Sequence, residues 1–237
     1  MNTSSEKPEV KTTTKGEVMQ VPKNKSLPNK DDVVIRSFGM PDIRTASEDG
    51  VVEGHPAVYE QKTNIGNWFY EVIERGAFDN CDFDDVLFTA NHELWDIPLA
   101  RSRRNNSNST LQLTLDNQGL FIKAHLDIEN NSEAKSLYSA IKREDITGMS
   151  FIFYVSEERW EELDTDMPTR HITKVKKVRE VSAVNFPAYT GATINARNDK
   201  LALDNARLAL DNAKSSLENE KNEREALKLK VKILGGI

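Results

Sequence analysis

Sulfur is scarce in this sequence. A single cysteine, Cys81, stands among 237 residues, which excludes an internal disulfide and a cysteine-based zinc site and fits a reducing compartment. Its flank, FDNCDFDD, is acidic, and Asp79, Asp82, Asp84 and Asp85 tend to raise a neighbouring thiol pKa, so Cys81 is a poor nucleophile. Long apolar runs are lacking as well. A run such as Phe151 to Val155 is too short to span a bilayer, and the opening MNTSSEKPEVK has neither the charged start nor the apolar stretch of a signal peptide. The expectation is a protein made and kept in a cytoplasm, with no membrane partner. Basic excess is missing too: the formal net charge is −6, whereas duplex binding relies on a clustered basic face, so protein rather than nucleic acid is the expected partner. The four histidines are scattered without ligand spacing and no glycine-rich phosphate loop occurs, so neither a metal nor an organic cofactor is called for.

What is present is enough for one domain with a hydrophobic core, at 38% apolar residues, plus polar ends. Residues 1–30 are rich in Lys, Thr, Ser, Asn and Pro and cannot bury enough surface to offset ordering entropy, which predicts a disordered arm. Residues 31–197 form the expected core domain, beginning with the short apolar runs VVIRSF, VVEGHPAVY and DVLFTAN. Leu111, Leu113 and Leu115 then alternate up to a turn at Asp116–Gly119, and LFIKAHL resumes after it, the pattern of a half-buried hairpin. A helix is predicted next, with Asn130 as its cap, Ala134, Leu137, Tyr138 and Ile141 on one face, and its end near Asp145. Three further strands are expected in SFIFYVSE, HITKVKKV and EVSAVNF. Many short strands with one internal helix point to a mainly β, α+β fold, an antiparallel barrel or sandwich decorated by helices. Residues 198–237 form a charged, Leu- and Ala-rich helical tail with the near-repeat LALDNAR, LALDNAK. Its heptad seam is apolar at Leu203, Leu210 and Leu217 but broken at Arg224 and Glu220, which leaves open whether it lies on its own domain or self-associates as a coiled coil.

The residue with the most chemical promise is Ser150, in TGMSFIFYV, where Gly148 permits a sharp backbone turn before a hydroxyl at the mouth of an apolar strand. A serine needs a base to take its proton, and the base needs a third group to orient it. His125 and His171 read as strand-surface residues, and His55 precedes Pro56 in an extended or turn segment. His92 differs: it ends the run VLFTAN, where a sheet can hold a polar side chain rigidly beside a cleft. Glu180, in VREVSAVNF, opens a strand and could accept a hydrogen bond from His92, or could form a salt bridge with Arg179 or Lys177. The three are too far apart in sequence for a local motif, and Ile152 stands where a nucleophile elbow of the G-x-S-x-G type needs its last glycine.

Seven segments in order carry a resemblance: GHPAVYEQ, IERGAF, NHE, IPLARS, DNQGLFIKAHL, DITGMSFIF and REVSAVNFPAY. Between about Ile35 and Arg197 the chain resembles the prohead proteases of tailed bacteriophages, the family typified by phage HK97 and related to herpesvirus assemblin. The resemblance implies a serine endopeptidase built on an antiparallel β-barrel of the herpesvirus-protease type surrounded by helices, with Ser150 as nucleophile, His92 as general base and, as third member, Glu180 as orienting acid or else a second histidine such as His171, as in the herpesvirus enzymes. It also implies its partners: the major capsid protein with its scaffold region, or a separate scaffold protein, cut inside assembling proheads in the host cytoplasm, often together with the protease itself. Two positions depart from that family's usual pattern. Relatives usually have SFGF where this chain has Ile152, and often GR where it has Ala100 and Arg101. A second reading is therefore a catalytically weak scaffold protein that retains the barrel and uses its helical tail in assembly, and a third is an unrelated β-barrel binding module.

Overall fold

The computed structural model describes residues 33–38, 43–185 and 197–234, so the arm expected over residues 1–30 lies outside the described residues. Eleven strands and two helices follow in chain order: β1 Val33–Phe38, β2 Arg44–Thr45, β3 Val51–Val58, β4 Thr63–Ile65, β5 Phe69–Ile73, β6 Leu87–Ala90, β7 Ala100–Arg101, β8 Leu111–Leu115, β9 Gly119–His125, α1 Ser132–Lys142, β10 Gly148–Glu161, β11 Thr169–Val184 and α2 Arg197–Leu234. The fold is mixed α+β, mainly sheet, with a C-terminal helix.

The strands form two sheets. One runs β1-β10-β11-β5-β4, with β6 and β7 continuing from the other end of β11, and the second runs β2-β3-β9-β8. Among the described residues the ladders do not close, so the expected herpesvirus-type barrel is not found. Nor is the pairing purely antiparallel, because β11 pairs in parallel with both β5 and β6. The reason is the length of β11. Its 16 residues let the first half bind β5 and the second half bind β6 along one edge, leaving separate sheets packed over a shared core.

That length was hidden in the sequence by a run of bulges. HITKVKKV and the EVSAV of EVSAVNF, expected in two strands, belong to one; Phe186 lies outside the described residues. Against β10, residues Thr173, Lys176 and Arg179 each fall outside the one-to-one register, since Ile172 pairs with Glu158, Val175 with Val155, Val178 with Phe153 and Glu180 with Ile152. An extra residue at every third position turns the strand's apolar period from two to three. Ile172, Val175 and Val178 consequently all reach the core although their spacing suits no regular strand.

The hairpin of β8 and β9 is tied to its neighbour at Gly119, where an added Cβ would stand 2.0 Å from the Ala57 carbonyl oxygen. His55, expected in a turn or extended segment, is a buried residue of β3, and its Nε2 lies 2.8 Å from Asp116 Oδ2 at the hairpin turn. Burial pushes the Asp116 pKa up, but the contact with His55 and the backbone N–H groups of Gly119 and Gln118 outweigh it and leave it below the usual carboxylate value. Helix α1 starts one residue later than expected: Asn131 rather than Asn130 is the cap, its side-chain oxygen accepting from the N–H groups of Glu133 and Ala134. The helix ends at Lys142, and Ala134, Leu137, Tyr138 and Ile141 form its buried face.

The strand around His171 is less solvated than its basic sequence suggests. Arg170 is buried, with Nη1 3.1 Å from the fully buried Glu71 on β5 and a second ion pair to Glu158 on β10. Burial alone lowers the guanidinium pKa, but the two carboxylates outweigh it and raise it overall. His171 itself is mostly buried and sits 3.1 Å from Glu74. Helix α2 rests on the domain through its first half, beside β1 and where Leu210 is buried against Ile65 and Phe69, with the Arg207 guanidinium 5.5 Å from the Trp68 ring centre. Of the seam positions after it, Arg224 and Val231 are exposed and Leu217 is only partly covered.

Two stability effects follow. Gly119→Ala drives a methyl group into backbone and should cost about 1–3 kcal/mol, read as a lower urea midpoint at unchanged slope. Glu71→Ala removes one partner of a buried ion pair and should cost roughly 3 kcal/mol, the low end for such a loss because Glu158 still pairs with Arg170. A thermal midpoint within a degree or so of the natural chain would rule out that structural role for Glu71.

Candidate active site

The site grows out of the register of three strands. Ser150 on β10 is the cross-strand partner of Ser182 on β11, and Ser182 is in turn the parallel partner of Thr89 on β6. Directly paired residues share a face, so the three hydroxyls form a row across the sheet. Two residues before Ser182 on the same face lies Glu180, opposite Ile152. Strand alternation thus places a carboxylate beside a line of hydroxyls on one face of the sheet.

Gly148 plays no turning role here. It is the first residue of β10, paired with Val184, and the positive-φ glycines among the described residues are Gly50, Gly66 and Gly76. The sharp turn occurs instead at His92. After Ala90 ends β6, Asn91 and His92 both adopt left-handed conformations, with φ of 49° and 61°. Such angles are uncommon for residues other than glycine and persist where the surroundings hold them. Here the Asn91 N–H donates to the Ala183 carbonyl at 2.9 Å, Asn91 Oδ1 accepts from the Asn185 N–H at 3.1 Å, and the His92 N–H donates to Ser182 Oγ at 2.9 Å.

The turn swings the imidazole back over the sheet. His92 Nε2 lies 2.7 Å from Ser150 Oγ, and Nδ1 lies 2.7 Å from Glu180 Oε2. Glu180 Oε1 accepts a short hydrogen bond from Thr89 Oγ1 at 2.5 Å. Because Thr89 donates there, its oxygen is free to accept from Ser182 Oγ at 3.0 Å, while Ser182 accepts from the His92 backbone. The polarity of the whole network is set: Nδ1 carries the proton toward Glu180, and the lone pair of Nε2 faces the serine hydroxyl. Glu180 and Ser150 are both 0% exposed and His92 is 6% exposed, so the network sits in a low-dielectric environment where each polar contact counts more than in water.

Thr89 and Ser182 belong to this network although sequence reasoning did not single them out. The signal was there in part: in EVSAV, Ser182 shares parity with Glu180, and a buried hydroxyl next to a buried acid on one strand face needs a polar partner. Lys177 pairs with Asp82 across the sheet at 2.5 Å and so is not the partner of Glu180. His55, His125 and His171 are engaged elsewhere: His55 with Asp116, His171 with Glu74, and His125 within β9. The Cys81 thiol is pushed up to about 12, chiefly by burial and further by Asp82, which leaves it protonated at neutral pH. No group of three or more His, Cys, Asp or Glu side chains among the described residues is arranged to hold a metal ion. No helix among the described residues is long and apolar enough to cross a membrane.

A cleft of about 490 Å³ adjoins the site, walled by the end of β6, the loop that follows His92 and helix α1. It includes Thr89 and Ala90 on one side and Leu137 and Ala140 on the other.

No curated protein sequence matches the chain. Among solved structures, the bacteriophage T4 capsid assembly protease, gp21, aligns with a TM-score of 0.40 and 13% identity over 67% of this chain and 100% of its own. The family model described as caudovirus prohead serine protease matches residues 40–206, a span that contains His92, Ser150 and Glu180, and the chain belongs to that family.

Proposed function

We propose that the chain is a serine endopeptidase of prohead maturation in which Ser150, His92 and Glu180 form the catalytic triad. The observation that carries this is the unbroken line Ser150 Oγ, His92 Nε2, His92 Nδ1, Glu180 Oε2, with both contacts at 2.7 Å. In the proposed reaction Ser150 Oγ bonds to the substrate carbonyl carbon as its proton passes to His92 Nε2. Glu180, already hydrogen-bonded to Nδ1–H, stabilises the imidazolium that forms. His92 then gives the proton to the leaving amine as the C–N bond breaks; a water molecule, deprotonated by the same imidazole, next attacks the acyl carbon, and the imidazolium returns the proton to Ser150 Oγ as the Oγ–acyl bond breaks and the acid leaves.

The substrate under this reading is the major capsid protein's scaffold region or a separate scaffold protein, within assembling proheads in the host cytoplasm. The protease itself is a further substrate, the helical tail beyond Asn198 serving for docking and trimming because exposed segments are open to cleavage. Family membership supports the capsid setting. The scaffold-only reading draws on one observation, the exposed length of α2, which is a surface suited to assembly contacts.

Co-expression with the capsid protein, followed by intact mass, separates these readings. Ser150→Ala and His92→Ala should each reduce cleavage on the order of 10⁴-fold or more, and Glu180→Gln by one or two orders less. His171→Ala should leave it unchanged, because that imidazole pairs with Glu74 away from the triad. Cleavage persisting in Ser150→Ala would remove the nucleophile from the proposal, and absence of cleavage in the natural chain would favour the scaffold-only reading.

Ile152 is 3% exposed and stands cross-strand from Glu180, so its side chain covers the buried acid with hydrocarbon. Where relatives usually have glycine, this chain closes the sheet around Glu180. Ile152→Gly should therefore cost about 2–5 kcal/mol of stability, whereas Ile152→Val should cost about 0.5–1.5, both measured by chemical denaturation. Equal stability of Ile152→Gly and the natural chain would show that the side chain is not packed in this way.

A further inference from the structure

The cleft beside the triad and the end of helix α2 have complementary chemistry that catalysis alone does not explain. The cleft floor is apolar, from Ala90, Leu99, Leu137, Ala140 and Ile146. Its rim is acidic, with Glu93 and Asp96 on the loop after His92 and Glu133 in the first turn of α1, and among the described residues no lysine or arginine lines it. The same loop presents Trp95 at 97% and Ile97 at 79% exposure, large apolar surface that a buried partner would cover. An occupant matching these walls carries apolar side chains for the floor and amines for the rim.

The chain contains one described segment of that kind. From Leu227 to Ile233 it reads LKLKVKI, strictly alternating apolar residues with Lys228, Lys230 and Lys232. In α2 this alternation is out of place. Successive residues of a helix advance by 100°, so every second residue wraps around the axis and no single face collects the apolar side chains. Leu227, Leu229, Val231 and Ile233 are accordingly 66%, 60%, 66% and 77% exposed. As an extended strand the same segment places all four on one face and the three lysines on the other. It lies at a helix end, every residue from Glu218 to Leu234 is exposed, and no tertiary packing opposes its unwinding. Along a straight helix, Leu227 lies about 25 Å beyond the anchoring Leu210, which favours delivery to a neighbouring molecule over folding back.

We propose that the cleft is the substrate-selecting subsite of the proposed active site and accepts an extended peptide alternating apolar residues with lysines, the C-terminal segment Leu227–Ile233 of a second copy of this chain being such an occupant. This rests on the protease reading for its purpose but not for its test. Ala90 immediately precedes the Asn91–His92 turn and Glu93 immediately follows it, so a peptide seated there runs alongside the imidazole. The apolar floor sets which side chain enters, and the acidic rim selects for a neighbouring lysine and disfavours an acidic one.

The test is fluorescence anisotropy with a labelled peptide of the sequence of residues 225–237 and full-length Ser150→Ala protein, which binds without cutting. Saturable binding is expected, weakened at least tenfold in Glu93→Gln/Asp96→Asn/Glu133→Gln, abolished when the three peptide lysines are replaced by glutamate, and reduced by salt at about 0.5 M. All three protein substitutions are at exposed positions, and circular dichroism verifies that the variant is folded. No binding, equal binding by the glutamate peptide, or equal binding to the triple variant would each overturn the proposal. Cleavage of co-expressed capsid protein by the natural chain, lost in Ser150→Ala, reports on the protease reading separately, so failure of one does not imply failure of the other.

Discussion

The pairing of Ser182 with Ser150 on one side and Thr89 on the other is the constraint on which the site depends. It sets three strands in one register, and a one-residue slip would turn Ser150, in the β10 ladder, or Thr89, in the β6 ladder, to the face opposite Ser182 and Glu180. Holding that register falls to β11, whose first half is pinned by Arg170 to Glu71 and Glu158 and whose second half is pinned by the polar network itself. The parallel partners β5 and β6 therefore do more than extend the sheet. They bind the two ends of one long strand, and the bulges between them absorb the mismatch.

Glu180 illustrates how a costly group is accommodated. A carboxylate with no solvent exposure is tolerable only when its oxygens are fully engaged, and here Oε1 takes the Thr89 hydroxyl and Oε2 takes the His92 ring. Each hydroxyl in the row passes its own proton in one direction, ending at the acid. The arrangement leaves the imidazole little freedom in tautomer or orientation, which is what the proposed role of general base requires.

Much of the architecture was legible in short-range pattern. The alternating leucines of β8, the turn at Asp116–Gly119 and the apolar face of α1 all follow local periodicity, and local periodicity is what a sequence displays. The continuity of β11 was illegible because bulges at Thr173, Lys176 and Arg179 disguise its alternation. Open sheets in place of a barrel were illegible for another reason: closure depends on which distant edges meet, and no residue pattern encodes that by itself. For the site, NHE marks a true strand end, where a rigid frame can hold a functional group, whereas Glu180, expected to open a strand, lies buried within β11. Their mutual distances came only with the register. The left-handed turn at Asn91–His92 could not be anticipated from residues that adopt many conformations, and Thr89 and Ser182 passed as ordinary strand residues because small hydroxyls are common there.

Complete burial of Ser150 bears on how such a site would be used. A hydroxyl with no exposed surface cannot meet a carbonyl carbon until part of its surroundings yields, so this arrangement is a closed one. The sheet is the least able to yield, being fixed by ladders on both sides of β10 and β11. The segment after His92 is different: its backbone leaves the sheet at the two left-handed residues, its Trp95 and Ile97 find no apolar cover, and it forms one wall of the adjoining cleft. An occupant that covers those side chains gains apolar burial, and that gain is available to open the wall next to the imidazole. Access to the serine and recognition of the peptide would then be one event, because the surface that recognises the peptide is also the wall that must move.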